Sequence, residues 1–359
     1  MSILPDAESF RQLANGSLEG PLPATARGAL AALQAPYALA TAARNWLYDR
    51  RILPVQAAPV PVISVGNLTL GGTGKTPLVA WICRQLIASG LRPAVVSRGY
   101  AARKGDTSDE AAELAILLPG VPHVADRDRV SGAATAARLG VHVVVLDDGF
   151  QHRRLHRDLD VVAVDASDPF GCGHLFPRGL LRERVCGLAR ADAVVLTRAT
   201  GVDPDRRAAI RNEVNCARGG RPVVWLETEH RPTATRTATG GAAALDSLCN
   251  RRVAAFCGIG NPAAFRRTLV EAGADLAGFR SFADHHAYGP ADLESLTTWA
   301  EALGATEVLT TLKDLVKLRT DRLGRLPLAA VEVSLEPLTS AADFVGLVVE
   351  AGRVGDPAA

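Results

Sequence analysis

Residues 59 to 81 read PVPVISVGNLTLGGTGKTPLVAW, and no other stretch constrains the fold as strongly. A β-branched run from Val60 to Val65 stops at Gly66, a glycine-studded loop follows, and Gly74-Lys75-Thr76 opens an apolar, helix-like segment. A strand, a glycine loop and a helix start in that order build an anion site. Loop and helix-start N–H groups converge on the ligand, glycines allow close approach, and the positive end of the helix dipole adds attraction. Lys75 is expected to reach the β- and γ-phosphates of a nucleotide, and Thr76 to offer its hydroxyl to Mg²⁺. Pro77 fits a first helical turn, where its missing N–H has no partner to lose. The strict pattern wants glycine where Thr69 stands, yet Gly71, Gly72 and Gly74 remain at the tight part of the loop. Thr69, Leu70, Gly71, Gly72, Thr73, Gly74, Lys75 and Thr76 are therefore the expected phosphate cradle.

Such a loop predicts an α/β protein with a P-loop NTPase-type parallel sheet and helices on both faces. The rest of the chain agrees. Strand patterns at 60–65, 93–97, 141–146, 160–164 and 193–197 alternate with helical patterns at 75–89, 108–118, 127–139 and 203–217, and ligands of such sheets sit at the carboxyl ends of the strands. Composition shifts to Thr, Arg, Gly and Ala at 226–249, which suggests a linker. Beyond it, further strands around helices at 261–273 and 290–303 suggest a smaller α/β domain over 250–359. Residues 59–225 would form the kinase-like core and residues 1–58 an N-terminal segment.

With 359 residues, 48% of them hydrophobic and 22% charged, the chain suits about two globular domains. A formal net charge of +2 gives no case for nucleic acid. The six cysteines lie far apart with no Cys-x-x-Cys pair, which disfavours zinc and a disulfide framework and suits reduced thiols. The amino terminus lacks the pattern of a signal peptide. No charge occurs between Arg27 and Arg44, a run too short to span a bilayer, while Trp46 and Tyr48 stand beside Asp49, Arg50 and Arg51. Both an interfacial helix and an Ala-rich helix packed on its own domain satisfy that pattern.

A nucleotide loop calls for a carboxylate at a neighbouring strand end. VVVLDDGFQH supplies Asp147 and Asp148 after the apolar run 143–146, as candidate Mg²⁺ ligands opposite Thr76. Guanine-binding relatives of such folds carry Asn/Thr-Lys-x-Asp after a late strand. Here LTRAT puts Arg198 and Thr200 at the Lys and Asp positions, and the missing carboxylate argues for ATP.

Taken in order, VGNLTLGGTGKTPLV, VVSRGY, SDEAAEL, LDDGFQHRRLHRDLDVVAVD, FPRGLLRE, FCGIGNPAAF, FADHHAY and TTLKDLVKL resemble the tetraacyldisaccharide 4′-kinase (lipid A 4′-kinase) family over about residues 26 to 335. The resemblance implies ATP- and Mg²⁺-dependent phosphorylation of the 4′-hydroxyl of tetraacyldisaccharide 1-phosphate at the cytoplasmic face of an inner membrane. A membrane surface becomes a partner, and the interfacial helix the preferred reading of residues 26–48. It also implies that Asp109 is the catalytic acidic residue and His285 its partner, a carboxylate orienting an imidazole that takes the hydroxyl proton. Thr107 and Glu110 at capping-box spacing offer Asp109 a purely structural role as well. Gln151, His152, Arg182, Glu183, Arg98 and Tyr100 are the implied substrate contacts, with Arg178 and Arg184 flanking Arg182 in a basic segment. Three departures stand out: Ser108 in place of glycine, Leu312 in place of a family Glu, and His286 as an extra histidine. A nucleotide-switch ATPase acting on a protein partner is the rival reading, and it leaves the acceptor-side motifs without work.

Overall fold

The computed structural model describes residues 7–99, 109–284 and 286–354, which fall into two compact units. Residues 1–100, 118–229 and 335–359 make the first unit; residues 101–117 and 230–334 make the second. In chain order, α1 (Ala7–Asn15) and α2 (Pro21–Asp49) precede β1 (Val62–Asn67), α3 (Lys75–Ala88), β2 (Pro93–Ser97) and α4 (Asp109–Leu117). Then come β3 (His123–Ala125), α5 (Arg129–Ala137), β4 (Val143–Asp147), β5 (Leu159–Asp165), β6 (Ala193–Thr197), α6 (Pro204–Ala217) and β7 (Val224–Arg236). The chain continues through β8 (Ala242–Ala244), β9 (Arg252–Cys257), α7 (Pro262–Glu271), β10 (Asp275–Ser281), α8 (Pro290–Ala302) and β11 (Glu307–Thr311). It closes with α9 (Leu312–Leu318), β12 (Arg322–Leu323), β13 (Leu326–Pro337) and α10 (Ala342–Arg353).

In the first unit the strand order is β7-β6-β5-β1-β4-β2-β3. Neighbours are parallel throughout, with Ile63 of β1 opposite both Val145 of β4 and Leu159 of β5. Every residue of β1, β2, β4, β5 and β6 is buried, as expected for β-branched strands covered on both faces. The strand ends of this sheet place the site. At β1, Gly66 lies so close to the turn after β4 that an added Cβ would stand 2.5 Å from Phe150 Cβ and 2.7 Å from its amide nitrogen. Only glycine lets residues 147–151 lie down beside the start of the phosphate loop.

α2 packs one stripe against this unit: Tyr37 and Ala38 join the cluster around Leu68, Phe150 and Val164. Tyr37 Oη donates to Arg182 O at 2.8 Å, and Asn45 Nδ2 to Glu183 Oε2 at 2.8 Å. The opposite face exposes Leu22, Leu33, Leu39 and Trp46. Among the described residues no helix is long and apolar enough to cross a membrane.

The second unit has the order β10-β9-β11-β13-β7, with β10, β9, β11 and β13 mutually parallel along that path. Its core gathers Val253, Ala255, Phe265, Leu269 and Leu309. Three expectations change. The stretch 226–249 is not a linker: β7 runs through it to Arg236 and pairs with β8, because its threonines favour extended backbone. Helix α4 belongs to the second unit although the motifs on either side of it belong to the first. The C-terminal helix α10, unread in the sequence, returns to the first unit, where Phe344 meets Trp81 with ring centroids 5.8 Å apart.

Replacing Gly66 with Ala should cost roughly 1–3 kcal/mol, because the clash is with the backbone and Cβ of the fully buried Phe150. Gly28→Ala, in α2 with nothing within 4 Å of the added methyl, should be neutral or slightly stabilising. Thermal unfolding of the two variants checks the contrast; equal melting temperatures would refute the packing argument.

Candidate active site

The loop after β1 is shaped from two sides. Asn67 Nδ2 donates to Thr69 O at 2.6 Å, and a short ladder fixes the next residues: Leu70 N–H donates to Leu180 O, and Arg182 N–H to Leu68 O, both at 2.7 Å. Gly71 and Gly74 take φ of +106° and +80°, left-handed values that glycine adopts without steric cost. From the end of β6, Thr197 Oγ1 donates to Thr73 O at 2.9 Å and Arg198 Nη1 to Gly72 O at 3.0 Å, while Arg198 also pairs with Asp165. Lys75 and Thr76 then open α3. Thr73 Oγ1 is buried and meets no protein partner, a polar atom that an oxyanion in the cradle would satisfy.

The carboxylates stand opposite. Asp147 is the last residue of β4 and only 4% exposed. Asp148 takes φ +53°, a left-handed conformation that Asp tolerates better than most residues. Both its oxygens accept from Arg182 Nη1 at 2.8 Å, and Lys75 Nζ stands 3.5 Å away, with Asn67 Oδ1 at 3.0 Å holding the ammonium from the side. Burial raises the pKa of Asp148, but Lys75 and Arg182 outweigh it and bring it down to about 2. Gln151 bridges Asn67 O at 2.8 Å and Glu183 Oε1 at 3.1 Å. The donor set of Thr76, Asp147 and Asp148 is all oxygen, which fits a small hard cation that keeps several waters and shares substrate phosphates.

Some substrate-contact expectations change. Glu183 is 1% exposed; its carboxylate accepts from Arg190 Nη2 at 2.9 Å, from Asn45 and from Gln151. Its carboxylate is taken up in ordering the loop. The three-arginine segment splits up: Arg182 serves Asp148, Arg178 donates to Ala14 O at 2.6 Å, and Arg184 is exposed. His152 is half-buried, with Nε2 meeting no protein partner; burial, then Arg129 and Arg157, lower its pKa to about 4. It is a neutral imidazole near pH 7. Arg98 is exposed just beyond β2; Tyr100 lies outside the described residues.

Two site residues escaped sequence reasoning. Arg129, behind the helix cap Asp128, is 5% exposed and lies in the fields of both Asp147 and Asp148. Its signal was the Asp-Arg-Val helix start, which reads as an ordinary cap. Glu229 from β7 accepts from Thr200 N at 3.0 Å and from Thr200 Oγ1. A carboxylate thus does stand beside position 200, supplied from another strand, and the choice of ATP cannot rest on its absence.

In the second unit, Asp109 is the first residue of α4, and Lys317 Nζ lies 3.7 Å from its Oδ2. His285, Thr107 and Ser108 lie outside the described residues, as does the side chain of Glu110. His286 is engaged elsewhere: it stacks on Phe282 at 4.7 Å, and its Nε2 is 3.1 Å from Asp292 at the start of α8. Lys313 pairs with Asp284 at 2.9 Å. Leu312 is a buried core residue, so the carboxylate the family has there has no counterpart at this position.

A family model described as tetraacyldisaccharide-1-P 4′-kinase (LpxK) matches residues 26–350. A tetraacyldisaccharide 4′-kinase of Anaeromyxobacter sp. (strain K) is 44% identical over 317 residues, covering 83% of this chain and 83% of its own. One from Geobacter metallireducens is 40% identical over 343 residues, covering 88% of this chain and 97% of its own. Among solved structures, an "apo" form of LpxK from Aquifex aeolicus in complex with ATP is similar at a TM-score of 0.69 and 30% identity, covering 90% of this chain and 99% of that one.

Two pH windows follow from the shifts. His152 binds a proton less readily folded than unfolded, so its contribution to stability is present above about pH 6.5 and is lost on acidification towards 4. Asp148, depressed to about 2, contributes above its ordinary value near 4 and loses that contribution as pH falls towards 2. Chemical denaturation across pH 2–7 should show the first slope reduced in His152→Gln and the second in Asp148→Asn. Unchanged slopes would refute the two environments.

Proposed function

Because this chain belongs to the tetraacyldisaccharide-1-P 4′-kinase family, we propose that it transfers the γ-phosphate of ATP to the 4′-hydroxyl of tetraacyldisaccharide 1-phosphate. The observation that carries this reading is the arrangement around Asp148: a glycine loop and Lys75 on one side, and Arg182 from an acceptor-side motif on the other, meet one carboxylate. Phosphoryl transfer needs positioning and charge neutralisation more than covalent chemistry, and these groups supply both. Residues 69–76 cradle the β- and γ-phosphates, with Lys75 on the oxygens where negative charge collects. Thr76, Asp147 and Asp148 would hold Mg²⁺, which neutralises phosphate charge when bound. Arg182 and Gln151 border the transferred group, and neutral His152 offers a hydrogen bond without adding a cation. Asp109, with His285, orients and deprotonates the sugar hydroxyl, as the family motifs imply.

The acceptor carries four acyl chains, and the exposed face of α2 offers what reaching it requires. Leu22 is 81% exposed and Leu39 72%, with Leu33 and Trp46 on the same helix. An apolar helix face of this kind lies in the headgroup boundary with its aromatic at the interface. We place the chain peripherally on the cytoplasmic face of the inner membrane, with no nucleic-acid partner.

The direct test incubates the purified chain with [γ-³²P]ATP, Mg²⁺ and tetraacyldisaccharide 1-phosphate. A bisphosphorylated lipid is expected, with Lys75→Ala inactive and Asp109→Ala slower in kcat by roughly 10²–10⁴, the range for losing a general base. ATP hydrolysis that ignores the lipid would overturn the reading. Separately, Leu33→Asp combined with Leu39→Asp should release the protein from anionic lipid vesicles in flotation; undiminished flotation would return α2 to an ordinary packing role.

A further inference from the structure

Helix α9 carries a lysine with an unusual setting. The Lys317 side chain is only 9% exposed, and its ammonium lies 3.5 Å from Asp314 Oδ1, 3.7 Å from Asp109 Oδ2 and 3.4 Å from the carbonyl of His286. The Tyr288 ring centroid is 5.9 Å away. Burying an ammonium is costly unless anions and acceptors surround it, and here they come from three segments of the second unit. Asp314 is the fixed end: it is 0% exposed, and its Oδ2 accepts from Gly258 N–H at 2.9 Å and from Thr311 Oγ1 at 2.7 Å. Asp109 is the accessible end, with about a third of its side chain exposed.

We propose that Lys317 is a positioning residue for phosphoryl transfer: anchored on Asp314, its ammonium holds the Asp109 carboxylate aimed from the start of α4. The inference rests on the assignment of Asp109 to the reaction and adds what sets that residue in place. Helix α4 is nine residues long, a length with little stability of its own in water, so the aim of its first side chain needs an external fix. A carboxylate chain already locked by a backbone N–H and a hydroxyl provides one. Because one ammonium serves two carboxylates, Asp314 takes part of its field. Asp109 is therefore held while about a third of its side chain stays exposed. Among the described residues, titratable groups facing this cluster include Asp109 on α4, Asp314 on α9, Tyr288 and His286 on the segment after β10, and Cys257 at the end of β9.

The test compares Lys317→Met, Lys317→Arg, Asp109→Asn and the double variant Lys317→Met/Asp109→Asn in the lipid phosphorylation assay. Expected for Lys317→Met are a kcat lower by about 10²-fold, the cost of a misplaced reacting group, and an unchanged KM for ATP. Lys317→Arg should restore much of the rate, and the double variant should be no slower than Asp109→Asn alone. Should Lys317→Met not fold, Lys317→Arg still decides: it should retain much of kcat at an unchanged KM for ATP, and a loss as deep as that of Asp109→Asn would overturn the proposal. An inactive Asp109→Asn beside a fully active Lys317→Met sinks this proposal alone. Losses that multiply in the double variant, or a lower melting temperature with an unmoved kcat, would make Lys317 a staple between helices and nothing more. A fully active Asp109→Asn would instead remove the catalytic assignment on which the proposal stands.

Discussion

Everything in the first unit turns on one close approach, that of the Asp147–Gln151 turn to β1 at Gly66. The turn lies against the strand because no side chain intervenes, and Phe150 fills the core beneath it at 0% exposure. That seating puts Asp148 within reach of Lys75 at 3.5 Å and of Arg182 at 2.8 Å. Each ion pair alone would be worth little near the surface. Their value lies in geometry: a left-handed aspartate, a lysine steered by Asn67 and an arginine on a pinned loop leave few ways to arrange three charges. Preorganised charge of this kind is what stabilises a transferring phosphoryl group, since nothing has to reorient when the charge develops.

Much of this unit was legible because local pattern and tertiary role coincide in it. A parallel strand buried on both faces must be a run such as Val143–Leu146, and a phosphate loop must be glycine-rich and must open a helix. The same logic explains the failures. Residues 226–249 look like a linker by composition, yet threonine is as good a strand former as valine once a neighbouring strand accepts its backbone. The assignment of α4 to the second unit, and of α10 to the first, depends on which hydrophobic face meets which sheet, and a single sequence does not state that. Glu183 illustrates the limit for site residues: its motif marked it as important, but only the three donors around its buried carboxylate show that it holds the loop together.

The two least legible charges, Lys317 and Arg129, share a physical reason. Each is a long cationic side chain on a short helix, and in sequence such residues belong by default to the solvated face. What distinguishes them is burial among carboxylates that other elements supply, Asp109 for the lysine beside Asp314 of its own helix, and Asp147 and Asp148 for the arginine. Spacing within a helix carries no trace of a partner more than two hundred residues away, as Asp109 is from Lys317, or on another element, as Asp147 is from Arg129.

Helix α2 closes the account of the first unit, because its two faces answer to different surroundings through the same neighbours. Tyr37 bonds to the carbonyl of Arg182, whose guanidinium grips Asp148, and Asn45 bonds to Glu183, the next residue. The exposed Leu22, Leu33 and Leu39 are thus set at a fixed distance from the phosphate cradle by two consecutive residues of one loop. A lipid surface beneath α2 would therefore set the depth at which an acceptor's sugar meets Arg182. Under the proposed reading the helix would act there as a spacer as much as an anchor. A flexible tether carrying the same apolar residues would bring the protein to lipid equally well, yet it would leave that depth undefined, and with it the in-line geometry that transfer requires.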